Sequence, residues 1–497
     1  MNHHHPDPVV TTAQGAVRGL RRDGAAVFLN IPYAAPPRGA GRFAPPRPHE
    51  PWDGIRDATV PGPNAPQSER RLGSVDMSPY FGEGWSRGED YLTVNVWAPE
   101  GAGGGLPVMV FVHGGGFVAG STRSALYDGS AFARDGVVLV TLNYRLGIAG
   151  FLDLPGAPAN RGLLDVVAAL RWVGENIAAF GGDPHNVTLF GQSAGATIVG
   201  GVLATPGAAG LFRRAIVQSG SGLGAFTTEQ AARVTRAAAE ALGVEPRAED
   251  FAEISDDRLV EAASRLAGID LRTATHHDPL AGLSPFSLVL DTQPAASVAT
   301  GPGAGVDLLI GTNTEEGNLY LVPVGTYATS TAGDVEAAAA RVHPDPARLV
   351  ETYRTSRSEA SSAELRSAIL GHALFGAGSW ALADAHAAHP GSATYAYEFA
   401  WRSHALDGAL GATHAMELPF VFDLAHLPHL RGPAALLGPD EPPADLAARV
   451  HRTWIRFAET GDPGWEPYDT RRRATMRIDA EWTQLDDPGG RERRAWS

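Results

Sequence analysis

Residues 187–202 read Val187-Thr188-Leu189-Phe190-Gly191-Gln192-Ser193-Ala194-Gly195-Ala196-Thr197-Ile198-Val199-Gly200-Gly201-Val202. The first four suit a buried strand, and the last seven form an Ala/Val-rich stretch that suits a helix. Between them stands Gly-x-Ser-x-Gly. The three letters alone occur by chance in glycine-rich chains; strand before and helix after are what give them meaning. In that setting the glycines let the backbone turn sharply and lift the Ser193 hydroxyl clear of the sheet. The helix that follows aims its first N–H groups at any anion formed there. Ser193 is therefore the candidate nucleophile.

Working outward, the surroundings repeat the strand–helix–strand rhythm. Leu92–Val96 alternates as a strand, while Val108–Val112 and Val137–Leu142 are continuous apolar runs of the kind buried in parallel sheets. Leu163, Leu164, Val167, Leu170, Val173 and Ile177 recur at helical spacing, and Gly181-Gly182-Asp183-Pro184 ends that helix. Asp307–Gly311 and Thr394–Phe399 supply further strands, and 443–459 a helix. Such alternation predicts an α/β fold with a large, mostly parallel central sheet flanked by helices. Residues 9–33 read as a leading antiparallel hairpin, 35–52 as a proline-rich irregular stretch, and 61–90 as a long surface loop. Helical insertions are expected at about 225–280 and 325–390. No repeat and no long polar linker interrupts the pattern, so residues 8–497 are expected to form one domain, with 1–7 a tail or tag remnant.

Composition excludes several chemistries. The chain has 497 residues, 44% apolar and 19% charged, enough for a large core and too apolar for wholesale disorder. With Cys 0, disulfides, thiolate nucleophiles and iron–sulfur clusters are impossible. Every basic side chain other than histidine is arginine, so Schiff-base and phosphate-loop lysines are absent too. A formal net charge of −15 argues against nucleic acid or an anionic membrane as partner. No stretch of about 18 apolar residues predicts a membrane span. The start shows neither a basic nor an apolar leader region, which makes the cytoplasm the default compartment. With aromatic residues at 8%, a gorge lined by aromatic rings is not expected.

A second glycine-rich element, His113-Gly114-Gly115-Gly116-Phe117, follows the strand 108–112. Consecutive glycines let a backbone loop approach a substrate so that several N–H groups meet one oxygen. The N–H groups of Gly115 and Gly116, with that of Ala194, are the expected oxyanion donors. Phe117 and Gln192 are expected to line the pocket.

Taken with Phe28–Ala34, Glu89–Val96, Asn143–Gly147, Phe180–Pro184, Gln218–Gly220 and Phe457–Pro463, these blocks resemble, almost end to end, the bacterial type B carboxylesterases. These are of the para-nitrobenzyl esterase kind, related to cholinesterases, and share the α/β-hydrolase fold. The resemblance implies a serine carboxylesterase acting through an acyl-enzyme. Gly311–Gly317 resembles the block that carries the family's acid and points to Glu316, with Glu315 its confounder. Gly411–Phe420 resembles the block that carries the base and points to His414. The chain order serine, acid, histidine is the one α/β-hydrolases use. No metal or organic cofactor is implied, the partner is a small-molecule ester, and the chain is expected to work as a monomer or homodimer.

The resemblance also implies ion pairs between Arg42 and Glu89 and between Arg145 and Asp165, and a supporting role for Ser219; His113 reads as orienting the glycine loop rather than titrating in catalysis. The arginine runs 471–473 and 491–494 read as solvated faces. Two departures concern the substrate. Many relatives carry Glu where Gln192 stands, which disfavours choline esters and leaves neutral aromatic or short- to medium-chain esters. Phe375-Gly376-Ala377-Gly378 replaces a Phe-Arg-x-Pro pattern and implies a looser pocket wall. Hydrolysis of carbamates or aryl amides by the same groups is an alternative, and a non-catalytic cholinesterase-like binding protein is another.

Overall fold

The computed structural model describes residues 6–101, 103–443 and 445–497; the three histidines at positions 3–5 lie outside them. Among the described residues the central sheet has eleven strands: β1 (Leu20–Arg22), β2 (Ala25–Pro32), β3 (Thr93–Pro99), β4 (Leu106–Val112), β5 (Val138–Leu142), β6 (Gly182–Gln192), β7 (Arg214–Gln218), β8 (Asp307–Asn313), β9 (Thr394–Phe399), β10 (Ala474–Ile478) and β11 (Thr483–Asp486). Their spatial order is β11-β10-β9-β8-β7-β6-β4-β5-β3-β2-β1. From β5 to β10 every neighbour runs parallel, and the two flanks are antiparallel.

The expected leading hairpin divides into two. Val9–Thr11 pairs with Ala16–Arg18 in a separate small sheet completed by Ile55–Asp57, whereas β1 and β2 form a hairpin on the edge of the main sheet. Gly19 lies between the two hairpins, and a Cβ on it would stand 2.5 Å from the Val27 carbonyl oxygen.

The continuous apolar strands are buried on both faces, and their side chains alternate between two cores. Val108, Val110 and Val112 of β4 pack on one side with Leu163, Val166 and Leu170 of the helix Arg161–Asn176. Met109 and Phe111 pack on the other with Phe132, Phe422 and Trp454. A fully buried Leu, Val or Phe of this kind contributes about 1.5–3 kcal/mol. The insertions are helical as expected, with capping boxes at Thr227/Gln230, Thr331/Asp334 and Ser361/Glu364 fixing three of the starts.

Chain order and sheet order part company at β4. From β4 the chain goes to β5 on one side and then crosses back to β6 on the other, which opens a crevice at the carboxyl ends of the strands. Register aligns those ends: Val112 pairs with Gly191, Gln192 with Gln218, and Gln218 with Gly311. The residues that follow each strand, from His113, Ser193, Ser219 and Thr314 onward, therefore emerge side by side.

Of the two expected ion pairs, one forms. Arg145 and Asp165 are buried and bidentate, with Nη2–Oδ1 at 2.7 Å and Nε–Oδ2 at 2.9 Å. Arg42 does not meet Glu89. Its guanidinium turns to the first helical insertion, donating to the carbonyls of Ala252 (3.0 Å) and Ile254 (2.5 Å) and lying 3.4 Å from Asp256. Glu89, on an exposed loop, pairs with Arg38 instead. The arginine runs near the C-terminus are not uniformly solvated either. Arg473 pairs with Asp384 at 3.2 Å and Arg493 with Asp487 at 3.1 Å, and buried Glu492 between Arg491 and Arg493 accepts from Arg357 at 2.7 Å.

Candidate active site

Ser193 sits at the end of β6 with φ 58° and ψ −125°, and the helix Ala194–Leu203 begins at the next residue. Such a conformation in a residue with a Cβ costs on the order of 1–3 kcal/mol and persists only where the surroundings hold it. Here the Ser193 N–H donates to the Gln218 carbonyl at 2.9 Å, and the Ser193 carbonyl accepts from Thr197 N at 2.9 Å. Neither flanking glycine has a positive φ. They serve close approach instead: a Cβ on Gly195 would lie 2.1 Å from the Val112 carbonyl oxygen, and one on Gly191 2.8 Å from the backbone of Gly195.

Three residues far apart in sequence meet above β6 to β8. His414 Nε2 lies 2.8 Å from Ser193 Oγ, and His414 Nδ1 lies 2.6 Å from Glu316 Oε2. Glu316 Oε1 accepts from the Asn313 N–H at 2.7 Å and from the Ser219 hydroxyl at 2.5 Å. Ser219 thus holds the carboxylate from the side away from His414. Glu315, the alternative acid, points elsewhere: it pairs with Arg402 and accepts the Ala412 N–H at 2.9 Å.

The glycine loop closes the other side of the crevice. Gly115 and Gly116 have φ 119° and 63°, and a Cβ on Gly115 would stand 2.0 Å from the Ala119 carbonyl oxygen. Only glycine fits such a turn. The N–H groups of Gly115, Gly116 and Ala194 have no acceptor among the described residues, and all three residues line the cavity that holds Ser193 and His414. His113 stacks on Tyr144 with ring centroids 4.5 Å apart, and its Nδ1 lies 2.8 Å from the Gly114 carbonyl. Burial pulls its pKa down to about 4, so the ring is neutral and serves as a spacer for the loop.

Both expected pocket residues line this cavity. Phe117 (φ 65°) packs edge-on against Phe151 at 4.9 Å. The Gln192 amide Nε2 lies 3.2 Å from His414 Nε2, on the same side of the ring as Ser193.

The cavity, about 760 Å³ and open to solvent, is mainly apolar. Contrary to the compositional expectation, it gathers Tyr80, Phe81, Phe117, Tyr127, Tyr320 and Phe375. A small aromatic share spread over a long chain still supplies enough rings for one site. The stretch at Phe375 is not loose either. It forms a π-helical turn, His372–Gly376, and Gly378 packs so closely that a Cβ would stand 2.1 Å from Ser221 Oγ.

Sequence reasoning missed three contributors. The irregular segment 61–90 brings Arg70, Leu72, Met77 and Phe81 into the cavity, and Gln67 from the same segment clamps Gly120 through bonds of 2.8 and 3.0 Å. Ser284 holds the Gly116 carbonyl at 2.7 Å. Beneath the site, buried Glu417 accepts from Gln218 Nε2 at 3.1 Å and Asn313 Nδ2 at 2.8 Å; burial and the neighbouring Glu316 push its pKa up. Glu417 lies inside the block that pointed to His414, three residues on, so its presence was readable though its role was not.

Comparison with known proteins agrees with this architecture. A profile described as the carboxylesterase family matches residues 6–493. The chain is 37% identical to a para-nitrobenzyl esterase of Bacillus subtilis over 500 residues, 98% of each chain. It is 35% identical to a phenmedipham hydrolase of Pseudarthrobacter oxydans, over 92% of this chain and 90% of that one. A solved carboxylesterase of Geobacillus stearothermophilus superposes with a TM-score of 0.85 at 36% identity, covering 98% of this chain and 100% of the other. These likenesses set aside the reading as a non-catalytic binding protein. The chain belongs to the carboxylesterase family, has the α/β-hydrolase fold, and is a carboxylic ester hydrolase.

Proposed function

We propose that the chain hydrolyses esters through an acyl-enzyme on Ser193, with His414 as general base and acid and Glu316 as its orienting carboxylate. His414 Nε2 takes the hydroxyl proton as Ser193 Oγ attacks the ester carbonyl carbon. Glu316 holds the Nδ1–H tautomer and stabilises the imidazolium that forms. The tetrahedral oxyanion lies among the N–H groups of Gly115, Gly116 and Ala194, each such donor being worth about 3 kcal/mol in the transition state. His414 then gives its proton to the leaving alcohol, and the C–O bond to that alcohol breaks. A water deprotonated by the same ring attacks the acyl-enzyme and releases the acid. No step calls on a metal or an organic cofactor.

The observation that carries this reading is the unbroken chain from Ser193 Oγ through His414 to Glu316, at 2.8 and 2.6 Å, beside three backbone donors in one cavity that have no acceptor among the described residues. The lining of leucines, methionine and aromatic rings suits neutral aromatic or short- to medium-chain esters. A fluorophosphonate that mimics the tetrahedral centre tests the assignment: peptide mapping by mass spectrometry should place a single adduct on Ser193, formed in step with loss of activity. An adduct on another residue that tracks inactivation would overturn it. Assaying an aryl ester, an aryl carbamate and an anilide side by side tells ester from carbamate or amide preference.

A further inference from the structure

Arg70 brings a full positive charge into a cavity that is otherwise mainly apolar. Its Nη1 donates to the Gly115 carbonyl at 2.7 Å, and its guanidinium carbon lies 5.6 Å from the centre of the Phe81 ring. The absence of a side chain on Gly116 lets the guanidinium in, since a Cβ there would stand 2.4 Å from Nη1. Among the described residues no carboxylate comes within 4.0 Å of it. The adjacent Glu69 is turned outward and pairs with Arg71 at 2.9 Å. A guanidinium offers five N–H donors, and its one hydrogen bond to protein leaves most of them without an acceptor among the described residues.

A cation half-withdrawn from water beside an apolar cavity with no counter-charge is unfavourable, so its retention asks for a reason. Holding the glycine loop is not a sufficient one. The Gly115 carbonyl already accepts from Val118 N at 3.2 Å and Ala119 N at 3.1 Å, and a neutral donor would complete it as well. Burial holds the guanidinium below its ordinary pKa, yet arginine stays a cation throughout the working range. Beside it the Tyr320 hydroxyl has no hydrogen-bond partner among the described residues, while the Tyr320 ring lies 5.8 Å from that of His414. Tyr320 thus spans from the reacting centre to the arginine.

We propose that Arg70, with the Tyr320 hydroxyl, is a recognition site for a carboxylate carried by the substrate, and that half-esters of short dicarboxylic acids are substrates of this enzyme. The inference rests on the esterase reading above, because it places the ester carbonyl at Ser193. One hydrogen bond on each side of the amide joining Gly115 and Gly116 separates Arg70 Nη1 from that carbonyl oxygen, a reach of about 8 Å at most. A diacid of four or five carbons bridges it, with its free carboxylate forming a charge-assisted hydrogen bond to the guanidinium.

The test compares monoethyl glutarate with ethyl pentanoate, its uncharged counterpart of equal acyl length, by pH-stat in the wild type, Arg70→Met and Arg70→Lys. The ratio of kcat/KM for half-ester to neutral ester should fall about 10-fold or more in Arg70→Met and recover in part in Arg70→Lys. A role confined to the loop would lower both substrates together and leave the ratio unchanged, and an unchanged ratio overturns the proposal. Calorimetry of monoethyl glutarate on Ser193→Ala reads recognition without turnover. Binding there should weaken by a similar factor when Arg70→Met is added, and equal binding overturns the proposal as well. Hydrolysis of neither ester by the wild type would instead count against the esterase reading, with the calorimetric comparison still deciding on Arg70.

Discussion

Phe375 lies flat on the imidazole of His414, with ring centroids 4.2 Å apart and planes 8° from parallel. Nε2 meets Ser193 and Nδ1 meets Glu316, so the two nitrogens fix the ring along one direction and the phenyl face fixes its tilt. A stack of this kind is worth about 0.5–1.5 kcal/mol beyond the area it buries. Phe375→Leu keeps an apolar side chain of similar size and removes the flat face. It should lower kcat/KM for a simple aryl ester about 3- to 10-fold while the thermal midpoint moves by only a few degrees. Wild-type kcat/KM in that variant would show that the contact does no more than fill space.

How much of this was legible beforehand follows from how local each signal is. The Ser193 elbow and the His113–Phe117 loop are patterns within a few residues of a strand end, so composition and neighbours suffice to read them. Glu316 and His414 carry no local signature of their own; with 17 histidines in the chain, only the resemblance of their blocks to a family singled them out. Arg70, Leu72 and Phe81 were out of reach. Their segment has no periodicity, and long-range bonds set its path: Asp76 N to the Ala434 carbonyl at 2.8 Å, and Ser74 N to the Pro323 carbonyl at 3.0 Å. The failed Arg42–Glu89 pairing has the same cause, since ion pairs between irregular segments depend on a course that sequence does not encode locally.

His113 links loop geometry to acid stability. Burial holds its pKa at about 4, below the ordinary histidine value of about 6.5. As pH falls from 6.5 towards 4 the unfolded chain takes up a proton that the folded chain refuses, so stability present above 6.5 is progressively lost. The full window is worth up to about 3 kcal/mol. Asparagine at this position keeps a donor for the Gly114 carbonyl and does not titrate. Urea unfolding at pH 7.0, 5.5 and 4.5 should therefore show a shallower decline for His113→Asn than for the wild type. Parallel declines would mean that His113 is free to protonate in the folded protein.

Cationic esters should be poor substrates despite the aromatic lining. Cation–π contact offers about 0.5–2 kcal/mol. Against it, Gln192 provides no carboxylate beside Ser193, and Arg70 places a positive charge in the same cavity. At about 8 Å and an effective dielectric constant of about 20, that charge opposes a second cation by about 2 kcal/mol. Long-range attraction from the net charge of −15 is screened within about 8 Å at physiological salt. Butyrylcholine should thus show a kcat/KM well below that of an uncharged butyrate ester of similar size, at both low and high salt. A preference for the choline ester under both conditions would refute the argument.

The central claim is that the hydroxyl of Ser193 is the nucleophile, and the rate of 4-nitrophenyl butyrate hydrolysis by Ser193→Ala tests it most directly. Among the described residues the side chain makes one hydrogen bond, to His414, so its loss should leave the urea midpoint close to that of the wild type. Turnover should fall by at least about 10,000-fold, leaving only the residual catalysis that binding and the oxyanion donors provide. Hydrolysis near the wild-type rate by a folded Ser193→Ala enzyme would contradict the account.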